Sequence, residues 1–353
     1  MHKQIIISNG KLTLPKGYKP SLNLRTTEEA IKFIKDFFQI NLAKELNLKR
    51  ISAPIIVLSN TGLNDNLTGT ETPVSFNVKS INETAEIVQS LAKWKRNALA
   101  DYGFKYGEGL YTDMNALRPH EIPDNLHSIY VDQWDWERII NDKERNLDFL
   151  KTVVRKIYKV IKQTEKKVCN KYEQIGQSFL PTNLHFIHSE ELESKYPSLS
   201  PQEREHAICK EKEAVFVIGI GAKLSNGSPH DSRAADYDDW STETRNGYKG
   251  LNGDILVWNP VLGRAYELSS MGIRVNKDTL LQQLHIKGET AKVKLYYHQR
   301  LLKGELPLTI GGGIGQSRLC MFFLRKAHIG EVQASIWTNE TRDICKKNNI
   351  FLL

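Results

Sequence analysis

The chain has few cysteines and lacks any long apolar run. Its cysteines stand far apart and form no Cys-x-x-Cys pair; they are Cys169, Cys209, Cys320 and Cys345. This spacing argues against a disulfide framework and a cysteine-bound zinc site, and it fits a reducing compartment. The apolar run at 214–222 is far shorter than a membrane span, and the one at 5–7 is too short for a signal peptide. We therefore expect a soluble cytoplasmic protein with no membrane partner.

No low-complexity tract, internal repeat or linker interrupts the 353 residues. Hydrophobic residues make up 40% and charged residues 25%, which allows a sizeable core and argues against disorder. Lysine and arginine total 49 against 41 aspartates and glutamates, so the net charge is +8. A basic surface of this kind favours anionic partners such as nucleotides or RNA.

Part of the basic excess is concentrated in residues 151–171. Apolar residues recur there at helical spacing, and lysine and arginine fill many of the positions between them. We interpret the segment as an amphipathic surface helix with a solvated basic face. A groove for RNA is the alternative.

A glycine-rich run near the C-terminus, Gly311-Gly312-Gly313-Ile314-Gly315, is followed by an apolar helical pattern that contains Arg318. Glycine lets a backbone approach a ligand closely, and a helix N-terminus attracts phosphate. We interpret the run as a nucleotide-binding loop, with Arg318 in the first helical turn. The run matches neither the dinucleotide fingerprint nor a P-loop. The alternative is a helix N-terminus packed tightly against a strand.

The N-terminal third is predicted to alternate between helix and strand. A capping box, Thr26-x-x-Glu29, and apolar residues at helical spacing predict a helix to about Leu46. A strand over 50–58 follows, and Pro54, which has no N–H to donate, places it at a sheet edge or an interface. A polar loop, a strand and a helix come next, at 59–72, 74–78 and 85–100.

From residue 107 the pattern becomes β, with a strand over 128–137. Side chains alternate along it, so Gln133 and Asp135 share one face and Trp134 lies on the other. Further strands are predicted near 184–188, 214–219, 254–259 and 265–268. Hairpins and long insertions join the strands without regular βαβ alternation, which favours an α+β fold with an antiparallel sheet over a Rossmann core.

Charged residues suggest where chemistry takes place. Arg118, in a loop between strands with Glu121, can clamp a phosphate through parallel hydrogen bonds, or it can form a hairpin-tip salt bridge. Asp254 and Glu267 fall on neighbouring predicted strands and suit Mg²⁺, or they form a surface carboxylate pair. The acidic stretch 236–240 either holds a cationic ligand or is a polar loop with an N-cap.

The order of these features resembles the three motifs of class II aminoacyl-tRNA synthetases. More closely, the chain resembles the ammonia-dependent asparagine synthetases, or aspartate–ammonia ligases. The matching stretches cover nearly the whole chain: 65–69, 90–96, 107–112, 130–137, 236–241, 251–260, 267–274 and the glycine run. Two departures are Gln89, where this family leads us to expect histidine, and a longer N-terminus.

The resemblance implies the fold and the reaction. It predicts a single class II synthetase-like catalytic domain over 1–353, with a mixed, mostly antiparallel sheet flanked by helices and an N-terminal extension of about 1–20. It also implies that aspartate attacks ATP to give β-aspartyl-AMP and pyrophosphate. Ammonia then displaces AMP to give asparagine. Mg²⁺ is the expected cofactor and a homodimer the expected assembly, with the Pro54 strand and the helix before it at the interface.

The resemblance assigns roles to individual residues. The catalytic residues are Asp65, Lys95 and Arg118, of which Asp65 serves as the base for ammonia. Aspartate is held by Lys95, Gln133, Asp238, Ser270 and Arg274. ATP contacts Arg118, Glu121, Ser128, Glu267 and Arg318, and Mg²⁺ contacts Asp254 and Glu267.

Two other functions stay open at this stage. An RNA-binding synthetase-like protein is supported only by the basic segment at 151–171. The synthetase pattern begins near Thr26 and leaves no room for an N-terminal anticodon-binding barrel, so we do not expect nucleic acid as a partner. A noncatalytic paralogue is disfavoured because each expected charged contact has a residue to make it.

Overall fold

We analysed a computed structural model, which describes residues 4–7, 12–65, 67 and 71–353. The helices, in chain order, are α1 (Leu24–Leu46), α2 (Ala92–Asp101), α3 (Leu147–Lys171), α4 (Ser189–Lys195), α5 (Pro201–Lys212), α6 (Lys277–Lys287), α7 (Tyr296–Lys303), α8 (Gln316–Phe323) and α9 (Asn339–Lys347). The strands are β1 (Gln4–Ile7), β2 (Leu12–Pro15), β3 (Leu48–Arg50), β4 (Ile56–Leu58), β5 (Ser75–Val78), β6 (Glu83–Ile87), β7 (Gly109–Leu117), β8 (Tyr130–Ile139), β9 (His185–His188), β10 (Ala214–Ile218), β11 (Asn252–Asn259), β12 (Arg264–Ile273) and β13 (Thr309–Gly315).

An eight-stranded sheet in the order β3-β7-β8-β13-β12-β11-β10-β9 organises the described part of the chain. The inner pairs are antiparallel, whereas the pairs at the two edges, β3 with β7 and β9 with β10, are parallel. The expectation of a mixed, mostly antiparallel sheet flanked by helices is therefore confirmed.

The two faces of the sheet differ in what covers them. Helices α1, α3 and α8 pack against one face, where Phe38 of α1 meets Trp134 of β8 with ring centroids 4.6 Å apart. Trp136 is buried in the same core. Side chains of the other parity on β8, beginning with Gln133 and Asp135, face the opposite side, as the alternation predicts. That second face carries the candidate site.

Three sequence predictions in the N-terminal third needed correction. Helix α1 begins earlier than the predicted capping box, because Asn23 is its N-cap and accepts a 2.9 Å hydrogen bond from the backbone N–H of Thr26. The strand predicted over 50–58 is two short strands, β3 and β4, which pair in different sheets. Between them the chain crosses from one sheet to the other: the N–H of Ile51 still donates to the carbonyl of Tyr111 in β7, and the carbonyl of Ile55 accepts from the N–H of Val88, which follows β6.

The helix predicted over 85–100 is wrong in its first half. Residues 83–87 form β6, which pairs with β4 and β5, and the helix starts only at Ala92. Cross-strand pairing decides the conformation here, because the apolar spacing was compatible with a helix as well. The predicted loop at 59–72 contains a short 3₁₀ turn at Ser59–Thr61, and residues 66 and 68–70 lie outside the described part.

The glycine run is a central strand and not a loop, which corrects the interpretation of residues 311–315. Strand β13 lies between β8 and β12, and α8 begins directly after it with Arg318 in its first turn, as predicted. A Cβ on Gly311 would lie 1.9 Å from a carboxylate oxygen of Glu137, and one on Gly313 would lie 2.1 Å from the side-chain oxygen of Gln133. The glycines thus leave room for side chains from the neighbouring strand.

The basic segment forms α3, an amphipathic helix as predicted. One face is buried against the sheet and α1, and it carries Leu150, Val153, Val154, Ile157, Ile161 and Val168. Among the described residues, no helix is long and apolar enough to cross a membrane.

Candidate active site

Three adjoining cavities open on the sheet face opposite α1 and α3. The Lys95 cavity has a volume of about 290 Å³, the Ser128 cavity about 210 Å³ and the Asp254 cavity about 590 Å³. Glu267 lines all three, so they are compartments of one site. Every site residue predicted from the sequence lines at least one of them.

The structure distributes these residues as follows. The Lys95 cavity is lined by Asp65, Lys95, Arg118, Glu121, Gln133, Asp238, Glu267, Ser270 and Arg274. The Ser128 cavity is lined by Arg118, Glu121, Ser128, Gln133, Glu267 and Arg318. The Asp254 cavity is lined by Asp254, Glu267 and Arg318. Arg118 and Arg318, 200 residues apart in sequence, therefore border one common space.

Lys95 is buried in a network of charges at the floor of its cavity. Its Nζ donates to the carbonyl of Gly312 at 3.1 Å and lies 3.3 Å from a carboxylate oxygen of Asp135. Glu137 is 3.9 Å away on the same strand face. Burial lowers the pKa of Lys95, although the two carboxylates oppose this effect. Helix α2 and strand β8 thus hold a desolvated cation next to the cavity.

Arg274 is fixed by two buried carboxylates. Its Nε and Nη2 donate to Glu137 at 3.0 and 2.8 Å, and its Nη1 donates to Asp238. Burial tends to raise the pKa of Glu137, but Arg274 and Lys95 outweigh it and lower that pKa. The sequence predicted separate contacts of Arg274 and Asp238 with a ligand, whereas the structure also pairs them with each other. Sequence reasoning gave Glu137 no role.

The acidic stretch 236–240 is neutralised by cations of the protein itself. Lys93 Nζ and His298 Nε2 each lie 2.9 Å from one oxygen of Asp236, and Arg145 pairs with Asp239 at 2.5 Å. With Asp238 held by Arg274, each carboxylate has a partner. The stretch is therefore a buried ionic centre, and neither sequence interpretation described it.

Asp65 lies at the rim of the Lys95 cavity and is only 2% exposed. Its Oδ1 accepts a hydrogen bond from the backbone N–H of Leu67 at 3.1 Å. Burial raises the pKa of the Asp65 carboxyl to about 6; Asp236 adds to this rise and Lys93 opposes it. A carboxyl with this pKa exchanges protons readily near neutral pH.

Arg118 follows β7, and its Nη2 donates to the carbonyl of Gln89 at 3.5 Å. Its Nε is buried and has no hydrogen-bond partner within the described ranges. The described side chains of Arg118 and Glu121 form no ion pair, although the Glu121 N–H donates to the Arg118 carbonyl at 3.1 Å; both residues line the Lys95 and Ser128 cavities. The hairpin-tip salt bridge is therefore wrong, and donor groups of Arg118 are available to an anion.

Asp254 is held by Arg233, to which the sequence analysis gave no role. Arg233 Nη2 donates to both carboxylate oxygens of Asp254, at 2.7 and 2.6 Å, and to Ser270 Oγ at 3.1 Å. Burial raises the pKa of Asp254; Arg233 opposes that rise, and nearby Glu267 adds to it. Arg318 lies 3.5 Å from Glu267.

The carboxylates also define what kind of metal site is available. In the described part of the chain, no group of three or more His, Cys, Asp or Glu side chains is arranged to hold a metal ion. Asp254 and Glu267 together offer oxygen ligands from two residues. This set fits an Mg²⁺ whose remaining ligands are phosphate oxygens and water, because Mg²⁺ is commonly held by one or two carboxylates.

Comparison with known proteins identifies the family. A sequence profile described as aspartate-ammonia ligase matches residues 25–349. An aspartate–ammonia ligase of Parabacteroides distasonis is 59% identical over 343 residues, covering 97% of this chain and 99% of the relative. The chain belongs to the aspartate–ammonia ligase family. A second member, from Clostridium perfringens, is 58% identical over 344 residues, with the same coverage.

Solved structures show that this member of the aspartate–ammonia ligase family has the class II synthetase fold. Asparaginyl-tRNA synthetase of Entamoeba histolytica, in complex with asparaginyl-adenylate, has a TM-score of 0.66 and 16% identity and covers 88% of this chain. The corresponding complex from Pyrococcus horikoshii has a TM-score of 0.66, 16% identity and 87% coverage. This chain spans 66% and 68% of the two synthetases.

Proposed function

We propose that the protein synthesises asparagine from aspartate and ammonia at the expense of ATP. In the first step the β-carboxylate attacks the α-phosphorus, and β-aspartyl-AMP and pyrophosphate result. In the second step ammonia adds to the acyl carbon, and the bond to AMP breaks. Family membership supports the overall reaction, and the synthetases of like fold that hold asparaginyl-adenylate make an adenylate route reasonable. The observation that carries the proposal is the common cavity of Arg118 and Arg318.

In this scheme Arg118 holds the α-phosphate and stabilises the charge that develops there as pyrophosphate leaves. Preorganised donors aimed at developing charge are among the strongest catalytic devices. Glu121 and Ser128 border the adenosine, and Glu267 and Arg318 contact the nucleotide from the other side. The buried Nε of Arg118, which has no partner among the described residues, supports this role.

Aspartate occupies the Lys95 cavity. Lys95 and Arg274 attract its two carboxylates, Asp238 attracts its ammonium group, and Gln133 and Ser270 add neutral hydrogen bonds. Because Arg274 and Lys95 are already desolvated and oriented by Glu137 and other carboxylates, little reorganisation is needed when the substrate binds.

Asp65 acts in the second step as the base. Ammonium has no free electron pair, so Asp65 takes one proton from NH₄⁺ to give NH₃, which then adds to the acyl carbon. The electron pair of the breaking C–O bond leaves with AMP, and the nitrogen loses its second proton to solvent as the amide forms. A pKa of about 6 leaves Asp65 mostly ionised at neutral pH yet basic enough to accept the proton.

Asp254 and Glu267 are the residues that would hold Mg²⁺ beside the phosphates. When bound, the ion supplies positive charge that stabilises the pyrophosphate leaving group. Arg233 neutralises the buried Asp254 carboxylate, whereas the side chain of Glu267 is 42% exposed.

We further propose that the protein is a cytoplasmic homodimer. Large apolar side chains lie exposed on α1 and on the segment around Pro54, with Ile40 63% exposed, Ile55 57% and Ile56 45%. A second copy that covers these segments would remove this apolar surface from water. All four cysteines are free thiols, which fits a reducing compartment.

The test is incubation of the purified protein with ATP, Mg²⁺, aspartate and ammonium. We expect AMP and asparagine in equal amounts and none of either without aspartate. AMP formation that requires tRNA would support the RNA-binding alternative instead. ADP as the product would contradict the adenylate route while leaving asparagine synthesis in place.

A further inference from the structure

We propose that Gln89 is a positioning residue that holds Asp65 at a fixed position relative to Arg118. The inference rests on the proposed role of Asp65 as base. Gln89 is fully buried, with 0% of its surface exposed, and it lies on the chain between the two residues that the proposal assigns to the two reaction steps.

The main chain of Asp65 is held from both sides. Gln89 Nε2 donates to the carbonyl of Asp65 at 3.0 Å. The N–H of Asp65 donates to Asn64 Oδ1 at 2.9 Å, and the N–H of Gln89 donates to the same oxygen at 2.9 Å. Asp65 lies in a segment without regular secondary structure. These hydrogen bonds therefore fix the main chain of Asp65, and the bond from the Leu67 N–H to Oδ1 orients its carboxylate.

The hydrogen bonds that hold Asp65 are anchored to a three-stranded sheet in the order β4-β6-β5. Asn64 Nδ2 donates to the carboxylate of Glu86 at 2.9 Å and to the carbonyl of Ile87 at 3.2 Å. Both partners belong to β6, which pairs with β4 and β5. Strand β6, which precedes Gln89, thus fixes the position of the segment that contains Asp65.

The same residue reaches Arg118 through a different group. The carbonyl of Gln89 accepts from Arg118 Nη2 at 3.5 Å. Any substitution at position 89 keeps that carbonyl, whereas a side chain without a donor loses the contact with Asp65. Variants of Gln89 should therefore separate the ammonia step from the adenylation step.

The amide orientation supports a positioning role. Nε2 must face the Asp65 carbonyl, because the amide oxygen would be repelled by it. Oε1 is then left buried with no hydrogen-bond partner in the described part of the protein. An unsatisfied buried acceptor lowers stability, and an apolar side chain of similar size would avoid that penalty. The amide is therefore better explained by its bond to Asp65 than by packing.

The experiment compares Gln89→Leu and Gln89→His with Gln299→Leu as a matched control. Gln299 also donates from Nε2 to a main-chain carbonyl, that of Val293 at 2.7 Å, but it lines none of the three cavities. Pyrophosphate exchange with aspartate reports adenylation, and rapid-quench formation of asparagine from the preformed adenylate reports the ammonia step.

We expect Gln89→Leu to slow the ammonia step about tenfold or more and to change exchange less than about threefold, since one buried hydrogen bond is lost. Gln89→His should recover most of the rate, because a ring N–H can donate to the same carbonyl. The pH midpoint of the ammonia step should also fall in Gln89→Leu, since a loosened Asp65 is better hydrated. Gln299→Leu should change neither step.

Equal loss of both steps in Gln89→Leu, or loss of neither, would overturn the inference. Should Gln89→Leu fail to fold, Gln89→Met replaces it. Its flexible side chain keeps the length of glutamine without an N–H to donate, so the same separation of steps is expected. Asp65→Asn keeps the two proposals distinguishable. If Asp65→Asn retains the ammonia step, the role of Asp65 as base is wrong; if Asp65→Asn loses it and Gln89→Leu does not, only the role of Gln89 is wrong.

Discussion

Glu137 accepts hydrogen bonds from two nitrogens of one guanidinium, Arg274 Nε at 3.0 Å and Nη2 at 2.8 Å. Glu137 is 0% exposed and Arg274 3%, so neither has water to replace its partner. The pair joins β8 to the end of β12 across β13. It fixes the plane of the guanidinium beside the Lys95 cavity.

Glu137→Gln should lower the free energy of unfolding by about 3 kcal/mol, because it removes the buried charge that accepts from both Nε and Nη2 of Arg274 and leaves Asp238 as the remaining carboxylate partner. Denaturant unfolding at pH 7 measures the change. Glu45→Gln is the control, since Glu45 pairs with Lys159 at the surface and such pairs contribute about 1 kcal/mol or less. Similar small losses in both variants would contradict a structural role for the buried pair.

Arg118→Ala should reduce pyrophosphate exchange by about a hundredfold or more, the effect typical of losing a donor that stabilises a transition state. Folding should be intact, because among the described residues the side chain makes one long hydrogen bond, to Gln89. Arg50→Ala, which removes an exposed arginine paired with Asp113, serves as control. Exchange at the normal rate in Arg118→Ala would refute the assignment.

Asp65→Asn should stabilise the protein at pH 8 but not at pH 4. Burial raises the pKa of Asp65 to about 6, above the value near 4 for an unfolded chain, so the folded state favours the protonated form. The stabilisation that comes from binding this proton in the folded state is fully present below pH 4 and is lost as the pH rises through 6. We expect a gain on the order of 2 kcal/mol at pH 8, measured by thermal unfolding at both pH values.

The same carboxyl predicts a pH dependence for the ammonia step. In the wild type, asparagine formation from preformed adenylate should rise with pH and level off above about pH 6, because only the ionised Asp65 accepts a proton. Asp65→Ala should keep adenylate formation better than asparagine release. Equal loss of both steps would count against Asp65 as the base.

Gly313→Ala should fold but bind aspartate more weakly. The new Cβ would meet Gln133 Oε1 at 2.1 Å and Asp135 Oδ1 at 2.8 Å, both ends of side chains that can move. We expect the KM for aspartate to rise about tenfold, equivalent to about 1.4 kcal/mol. Gly312→Ala is the contrast, since its Cβ would meet the main-chain carbonyl of Ser270 at 2.5 Å and should destabilise the fold itself. Unchanged KM in Gly313→Ala would show that Gln133 does not contact aspartate.

The sequence predicted which residues line the site better than it predicted which of them contact one another. The predicted site residues from Asp65 to Arg318 all line at least one of the three cavities. The contact of Arg233 with Asp254 depends on how a long loop folds back, and no local pattern encodes that. Glu137 had a usable signal, since it shares its strand face with Gln133.

The fold was predictable in kind but not in every element. Period-two alternation placed Trp134 on the face opposite Gln133, which is the core face, and helical spacing predicted α3. Residues 85–87, assigned to the predicted helix over 85–100, instead pair with the neighbouring strands as part of β6. The glycine run did not predict a strand, because glycine has low β-propensity. It forms β13 because it pairs with the strands on either side, β8 and β12.

Strand β13 lies between β8 and β12 and carries no side chains at Gly311, Gly312 and Gly313. Each of Gly311, Gly312 and Gly313 would place a new methyl group under 3 Å from existing atoms. A side chain on β13 therefore fits only where the facing atoms are ends of side chains that can move, as beside Gly313, and not where they are main chain, as beside Gly312. The polar groups that line the Lys95 cavity beside these glycines come instead from the flanking strands, such as Gln133 of β8 and Ser270 of β12.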